Sequence, residues 1–240
     1  MSSRLWRYIL LRFILTIPML LILVSLVFFV LRVLPGDPAL AILREGASEE
    51  QLASFRAAVG LDRPLPVQYV DLVTSLMRFD FGTSMTRRIP VVDEIKTFFP
   101  ATVELTLFSM LVTGSVGVLG GAFAAQHRKS PADYGIRVAS IILYSLPIFW
   151  LGLMFQMVFG AQLGWLPVSG RLSPGMTPTE TITGLYTLDA ILRKDWALLG
   201  DALQRLVLPS LTLGLVLAGI FTRLTRANML DVLEQDFITA

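Results

Sequence analysis

Four long stretches without a charged side chain limit what this chain can fold into. They cover residues 13–31, 105–125, 138–170 and 206–222. An α-helix rises about 1.5 Å per residue, so about 20 apolar residues cross a hydrocarbon layer of about 30 Å. The third stretch is too long for one such helix and must bend near its end. The sequence therefore predicts an all-α, polytopic membrane protein with four spans.

The composition excludes several classes of protein. Charged residues make up 16% of the chain and hydrophobic residues 54%, whereas a soluble domain has about 25% charged residues. There is no cysteine, so neither a disulfide framework nor thiolate chemistry is available. His127 is the single histidine, which leaves almost no material for a metal site or a serine-type triad. We therefore expect no metal site and no catalytic site.

Residues 1–100 are predicted to hold one span and a small exported helical subdomain. A cleaved signal peptide is the alternative for residues 13–31, because Ala39-Leu-Ala41 resembles a cleavage site. A signal peptide has an apolar core of only about 7–15 residues, so a retained span is favoured. Further on, the stretch from Ser48 to Gln51 has the form of a capping box, and Gly60 is predicted to end that helix. A second short helix is predicted over residues 67–77.

The second apolar stretch carries glycines at three- and four-residue spacing. Small residues so placed let helix backbones approach closely, so we predict that this helix packs inside a bundle. A wall that contacts substrate is the alternative for the same face. The predicted packing residues are Gly114, Gly117, Gly120 and Gly121. In the third stretch, Pro147 predicts a kink and Trp165 predicts a bend at the membrane surface.

The distribution of basic residues predicts the orientation in the membrane. Short loops on the cytosolic side carry an excess of lysine and arginine, so the N-terminus and residue 240 are predicted to be cytosolic and residues 171–204 exported. The basic residues behind this prediction are Arg4, Arg7, Arg12, Arg128, Lys129, Arg137, Arg223 and Arg226. No predicted span contains a buried carboxylate or a lysine at mid-depth, which argues against a proton or ion relay.

The composition changes abruptly after the fourth stretch, from aliphatic to mixed charged and apolar. Leu230, Leu233 and Phe237 fall on one face of a helix, although Val232 and Asp236 blur its boundary. A short amphipathic helix after a span lies along the membrane surface or docks a partner. The residue pattern alone favours a connector that lies on the surface.

Several blocks of sequence, taken together, resemble one family. They are LPGDP at 34–38, FGTS at 81–84, PIFWLGL at 147–153, LGWLP at 163–167, LPSLTLG at 208–214 and the stretch 223–237. This combination is similar to the first permease subunit of bacterial dipeptide, oligopeptide and nickel ATP-binding-cassette importers. The resemblance implies the transmembrane fold of a type I importer in a bacterial or archaeal plasma (inner) membrane, with four spans present of an expected six. It also favours a role in docking a partner for the last stretch.

The resemblance also implies partners. They are a second, homologous permease, two ATPase subunits that bind ATP and Mg, and an external solute-binding protein, with no nucleic acid and no cofactor bound by this chain. ATP hydrolysis is then the work of the partner, and this chain is a non-catalytic transport subunit for peptides or similar small solutes. A passive channel and a membrane-embedded scaffold remain the alternatives.

Residue roles follow from the same resemblance. The expected ATPase-coupling residues are Leu230, Leu233, Glu234, Gln235, Asp236, Phe237, Ile238, Thr239 and Ala240. The exported segment is expected to help dock the binding protein through Arg171, Arg193 and Lys194. The family pattern continues past Ala240 with the rest of this helix and two spans. We therefore expect the permease core, residues 101–240, to be incomplete at its C-terminus, and the 240-residue chain to insert into the membrane but not to support ATP-driven uptake, even beside its partners.

Overall fold

The computed structural model describes residues 3–33, 38–43, 47–84, 86–176 and 181–234. The chain divides into two compact units, Met1–Glu94 and Ile95–Ala240. The LPGDP block lies largely outside the described residues, as do the predicted coupling residues 235–240.

The first unit contains the N-terminal apolar helix and three shorter helices. These are α1 (Ser3–Val33), α2 (Pro38–Leu43), α3 (Glu49–Val59) and α4 (Leu65–Met77). The capping box predicted before α3 is present, since Ser48 and Gln51 each satisfy the other's backbone N–H. Gly60 ends α3 in the left-handed conformation, with φ 70°. Both helices predicted for the exported subdomain are therefore confirmed.

The contact between α1 and α4 combines a polar and an aromatic interaction. The hydroxyl groups of Ser25 and Tyr69 share a hydrogen bond of 2.6 Å. The ring of Phe28 meets that of Tyr69 edge to face, with centroids 5.4 Å apart, and Phe28 is only 5% exposed. Such an edge-to-face pair adds about 0.5–1.5 kcal/mol to simple burial.

The second unit is built around its last helix. The helices are α5 (Val91–Gln126), α6 (Pro131–Ser145), α7 (Ile148–Gln162), α8 (Tyr186–Arg193) and α9 (Trp196–Leu233). The polypeptide of α5 widens into a π-helical turn at Thr113–Val118. Each of α5, α6, α7 and α8 packs against α9, so α9 is the axis of this unit.

Length and composition identify the helices that could cross a membrane. Within the described residues, three qualify: Arg4–Arg32, Val91–Gln126 and Trp196–Leu233. The pair α6 and α7 becomes a fourth if it counts as one bent span. These helices are those of an all-α polytopic membrane protein, as the sequence predicts.

The kink predicted at Pro147 is present and is sharp. The axes of α6 and α7 meet at 101°. Leu146 and Pro147 both have extended backbones, with ψ of 134° and 129°. Proline disfavours helical geometry in the residue before it, so α6 ends there and a new helix starts at Ile148.

The prediction of a separate short helix after the fourth span is wrong for the residues that the structure describes. A single helix, α9, begins at Trp196 and continues through Arg223 and Leu230 to Leu233. A change from apolar to charged side chains does not break helical hydrogen bonding, and residues 223–233 contain no proline or glycine. The composition therefore changes at Arg223, but the helix continues through that residue without a break.

Candidate functional site

Two glycines of α5 lie directly against the backbone of α9. A Cβ atom added to Gly117 would be 2.8 Å from Cβ of Phe221, and one added to Gly121 would be 2.6 Å from the carbonyl oxygen of Thr222. The other two predicted packing residues differ, because Gly120 has its nearest neighbour at 3.9 Å and Gly114 has none within 4 Å. The structure therefore places half of the predicted set at the closest approach of the two helices.

The reciprocal glycines on α9 are absent from the sequence-based prediction. A Cβ atom at Gly214 would lie 2.9 Å from the carbonyl oxygen of Ser109 on α5, and one at Gly219 would lie 2.7 Å from that of Ser140 on α6. Residues five apart point about 140° from each other around a helix. Gly214 and Gly219 therefore face different partner helices. A search for glycines three or four residues apart, which lie on one face of a helix, does not find them. We call Gly117, Gly121, Gly214 and Gly219 the glycine seam.

At one end of this unit, a buried ion pair ties α6 to α9. Arg226 donates from Nε and Nη2 to the two carboxylate oxygens of Asp133, at 2.7 and 2.9 Å. The Asp133 side chain is 1% exposed and also accepts from the backbone N–H of Lys129 at 3.1 Å. Bidentate pairs of this kind fix orientation as well as distance. We call residues 126–133 and 223–234 the basic end.

The described part of the predicted coupling stretch belongs to the basic end. Glu234 follows α9 directly and forms an ion pair with Arg128, while its side chain remains 59% exposed. Leu233 is 40% exposed.

At the opposite end, a buried carboxylate of α5 organises the segment that precedes α8. Glu104 is 3% exposed and accepts from the N–H and the hydroxyl of Thr187 at 2.7 and 2.6 Å. Arg171 donates to its other oxygen at 3.0 Å. The guanidinium of Arg171 also lies over the ring of Tyr186, 3.7 Å from the centroid. We call residues 165–176 and 181–205, together with Glu104, the loop end.

Glu104 is a buried carboxylate at the edge of the second predicted span. The uncharged stretch begins at Leu105, so the carboxylate falls just outside the predicted span. In the structure Glu104 belongs to the same continuous apolar helix, Val91–Gln126, and is buried there. Its partners, Arg171 and Thr187, lie far along the chain, so no local sequence pattern predicts these contacts.

A second buried carboxylate, Asp189, holds the turn before α8. It accepts from the backbone N–H groups of Ile182, Thr183 and Gly184 at 3.2, 2.9 and 3.1 Å, and from the Thr183 hydroxyl at 2.6 Å. Burial raises the pKa of Asp189, but these four hydrogen bonds outweigh it and hold the pKa below its usual value. The carboxylate is therefore charged at neutral pH and keeps the turn closed.

The start of α9 is tied to the loop end by a third carboxylate. Asp201 accepts from the N–H and the hydroxyl of Ser173, both at 2.6 Å, and pairs with Arg205 at 3.2 Å. Arg205 also donates to the carbonyl oxygen of Ser169. Ser173 lies two residues from Arg171, so α9 and α5 are linked through one short piece of chain.

The three predicted dock residues occupy different positions. Arg171 is engaged inside the fold by Glu104 and by the carbonyl oxygen of Gly184 at 3.0 Å. Arg193 is the last residue of α8, and Lys194 follows it in the left-handed conformation with φ 58°. The Lys194 side chain is exposed, so it is the member of the set that faces outward most openly.

Comparison with known proteins covers nearly the whole chain. Residues 117–240 match the family described as binding-protein-dependent transport system inner membrane component, and residues 5–106 match the N-terminal part described for such components. The chain is 40% identical over 214 residues to the di/tripeptide transport system permease protein DppB of Pseudomonas aeruginosa, which covers 89% of this chain and 63% of that protein.

Two further relatives are also named as permease proteins of dipeptide transport systems. The dipeptide transport system permease protein DppB of Alkalihalophilus pseudofirmus is 37% identical over 231 residues, 96% of this chain and 69% of that protein. The probable D,D-dipeptide transport system permease protein DdpB of Escherichia coli K12 is 38% identical over 211 residues, 88% of this chain. The chain spans 63%, 69% and 62% of the lengths of these three relatives.

Proposed function

The chain belongs to the family of binding-protein-dependent transport system inner membrane components, and on that premise we propose that it is the permease subunit of an ATP-driven importer of dipeptides or tripeptides. The substrate class rests on the similarity to relatives named for the transport of dipeptides and tripeptides. The helices Arg4–Arg32, Val91–Gln126 and Trp196–Leu233 suit a multi-pass protein of the inner membrane. The chain performs no covalent chemistry in this role.

The observation that carries the proposal is the way α9 is fastened at both of its ends. Its 38 residues extend over about 57 Å at 1.5 Å per residue, more than the thickness of the hydrocarbon layer. Asp201 and Arg205 fasten its start to Ser173 and Ser169 of the preceding loop, and Arg226 fastens its other end to Asp133. A displacement imposed on the basic end is therefore passed along one continuous helix to the loop end.

The proposed assembly assigns a partner to each end. The basic end faces the cytosol and contacts an ATPase subunit through Leu230, Leu233, Glu234 and residues 235–240, while the ATP and Mg are held by that subunit. The loop end faces outward and receives the solute-binding protein. A second, homologous permease completes the translocation pathway.

Uptake measurements test the proposal directly. Deleting the gene for this chain in its host should abolish uptake of a radiolabelled dipeptide, and restoring the gene should recover it. Uptake should stop when ATP is depleted. Downhill uptake that persists without ATP would indicate a passive channel instead, and unchanged uptake in the deletion strain would indicate a scaffold. Unlabelled peptides should compete with the labelled dipeptide, whereas nickel should not.

The chain offers a matched pair of lysines for testing the docking of the binding protein. Lys194 and Lys129 are both exposed and both left-handed, with φ of 58° and 63°, but they lie at the loop end and the basic end. We expect Lys194→Glu to weaken the affinity for the binding protein, and with it the stimulation of ATP hydrolysis, while basal hydrolysis is spared. Lys129→Glu should leave the affinity for the binding protein unchanged. Equal loss of affinity in both variants would place the dock elsewhere.

A further inference from the structure

A cavity of about 260 Å³ opens between α6 and α9 near the basic end. Arginine side chains line one part of it, and apolar or aromatic side chains line the rest. The arginines are Arg137, Arg223 and Arg226, and the other walls include Ile141, Tyr144 and Ile220. Ile141 is 60% exposed and Tyr144 55% exposed, so the apolar walls reach the outer surface of the helices.

The charges in this cavity do not cancel among the described residues. Arg226 is neutralised by Asp133, which gives it both carboxylate oxygens. Arg137 and Arg223 form no ion pair within the described part of the chain, and each lies over a tyrosine instead, 5.6 Å from the centroid of Tyr134 and 5.8 Å from that of Tyr144. Asp133 also attracts Arg137 electrostatically, but three arginines line the cavity and this one carboxylate balances only one of them.

The neighbouring acids do not change this account. The carboxylate of Asp133, one turn before Arg137, accepts three hydrogen bonds from Arg226 and the Lys129 N–H and none from Arg137. Asp231 lies about two turns beyond Arg223 on the same helix, which is about 12 Å along the axis. Arg137 and Arg223 therefore give one part of the cavity an excess of positive charge.

We propose that this cavity binds an anionic phospholipid, with its phosphate between Arg137 and Arg223 and its acyl chains along Ile141, Tyr144 and Ile220. Guanidinium groups donate bidentate hydrogen bonds to phosphate oxygens. Basic pockets between membrane helices are a recurrent arrangement for acidic headgroups. A free phosphate ion would use the arginines but would leave the exposed apolar wall uncovered, so the lipid satisfies both parts of the cavity.

Lipid retention by the purified full chain tests this site. In nanodiscs that contain phosphatidylglycerol and phosphatidylcholine, the wild-type chain should retain phosphatidylglycerol through native mass spectrometry. The double variant Arg137→Gln/Arg223→Gln should weaken that binding by about fivefold for each arginine and about thirtyfold for the pair. Phosphatidylglycerol should also raise the melting temperature of the wild-type chain and not that of the double variant.

The control removes the same charge from another basic segment. Arg4→Gln/Arg7→Gln alters two exposed arginines of α1 and should leave retention of phosphatidylglycerol within about twofold of wild type. An equal loss in both double variants would reduce the effect to general surface charge and overturn the site. Displacement of the lipid by millimolar inorganic phosphate would show a simple anion site. Unchanged lipid retention with lost assembly of partner subunits in Arg137→Gln/Arg223→Gln would assign the cavity to a protein partner.

Discussion

Two adjacent glycines of α5 should respond in opposite ways to the same small substitution. A Cβ atom at Gly121 would lie 2.6 Å from the carbonyl oxygen of Thr222 and 2.7 Å from Cβ of Thr225. At Gly120 the nearest atom is Oγ1 of Thr222, at 3.9 Å. We predict that Gly121→Ala destabilises the chain relative to Gly120→Ala.

The size of the difference follows from the contacts. Carbon atoms pack best at about 3.5–4.0 Å, so an alanine at residue 121 requires α5 and α9 to separate by about 1 Å. Such overpacking typically costs about 1–3 kcal/mol. Both alanines gain about 1 kcal/mol of helix propensity over glycine, and this gain cancels in the comparison. The difference in unfolding free energy between the two variants should therefore be about 1–3 kcal/mol.

Unfolding in mixed micelles measures that difference. Tryptophan fluorescence, followed while the SDS fraction rises, should give a lower midpoint for Gly121→Ala than for wild type and an equal or higher midpoint for Gly120→Ala. Identical midpoints for the two variants would refute the close approach of the helix backbones at Gly121. A lower midpoint for Gly120→Ala would show that α5 packs against its neighbour through the face that carries Gly120, and not through the face that carries Gly121.

Three further predictions concern other parts of the chain. Asp133→Asn should lower the unfolding free energy by about 3–5 kcal/mol, because it leaves Arg226 without its charged partner. Unfolding in mixed micelles measures this loss of stability, and a loss below about 1 kcal/mol would contradict the prediction. Because the pKa of Asp189 is lowered by folding, its contribution to stability is present above the unfolded value of about 3.9 and is lost as the pH falls through the lower folded value. The amide protection factors of residues 182–184, that is, exchange relative to the intrinsic rate at the same pH, should therefore fall below about pH 4 in wild type, whereas Asp189→Asn should show low protection at every pH. In this cysteine-free chain, a membrane-impermeant thiol reagent should label Ala132→Cys only from the cytosol and Ala53→Cys only from outside, and the reverse pattern would invert the proposed topology.

Local features of the fold could be predicted because their causes are local. The capping box at Ser48 needs only a side chain and a backbone group three residues away. Gly60 ends α3 because a left-handed residue without a Cβ atom costs little there. Pro147 separates α6 from α7 through its effect on the residue before it. In each case the residues that determine the structure are neighbours in the sequence.

The polar contacts of the candidate site could not be predicted in the same way. Glu104 meets Arg171 and Thr187 across separations of 67 and 83 residues, and Arg226 meets Asp133 across 93. The helical periodicity of a sequence relates residues only a few turns apart, so it cannot pair residues separated by such distances. The pattern also begins the span after Glu104, because a carboxylate suggests a polar end of a span when its buried partners, Arg171 and Thr187, are unknown.

The buried pair at the basic end has a consequence for the precision of helix packing. The glycine seam brings α9 close to α5 and α6, with the side chains of Phe221 and Val112 against Gly117 and Gly214 and one buried hydrogen bond, from the Thr113 hydroxyl to the carbonyl oxygen of Gly214 at 3.1 Å. The bidentate contact of Arg226 with Asp133 resists sliding strongly, because a shift of one turn, about 5.4 Å, breaks both hydrogen bonds. We therefore hypothesise that this pair sets the register of α9 more than it stabilises the fold.

Replacing the pair by apolar residues separates register from stability. Apolar replacement of a buried ion pair is often neutral or stabilising, so Asp133→Leu/Arg226→Met should unfold at a midpoint close to wild type. The methyl group of Ala218, which is fully buried beside Gly117, should nevertheless change from one NMR resonance to several or to a broadened one. The exposed pair Arg63 and Asp71, replaced in the same way, should leave the Ala218 signal unchanged. A single sharp Ala218 resonance in Asp133→Leu/Arg226→Met would show that the seam alone holds the register, and the buried charges would then need another explanation.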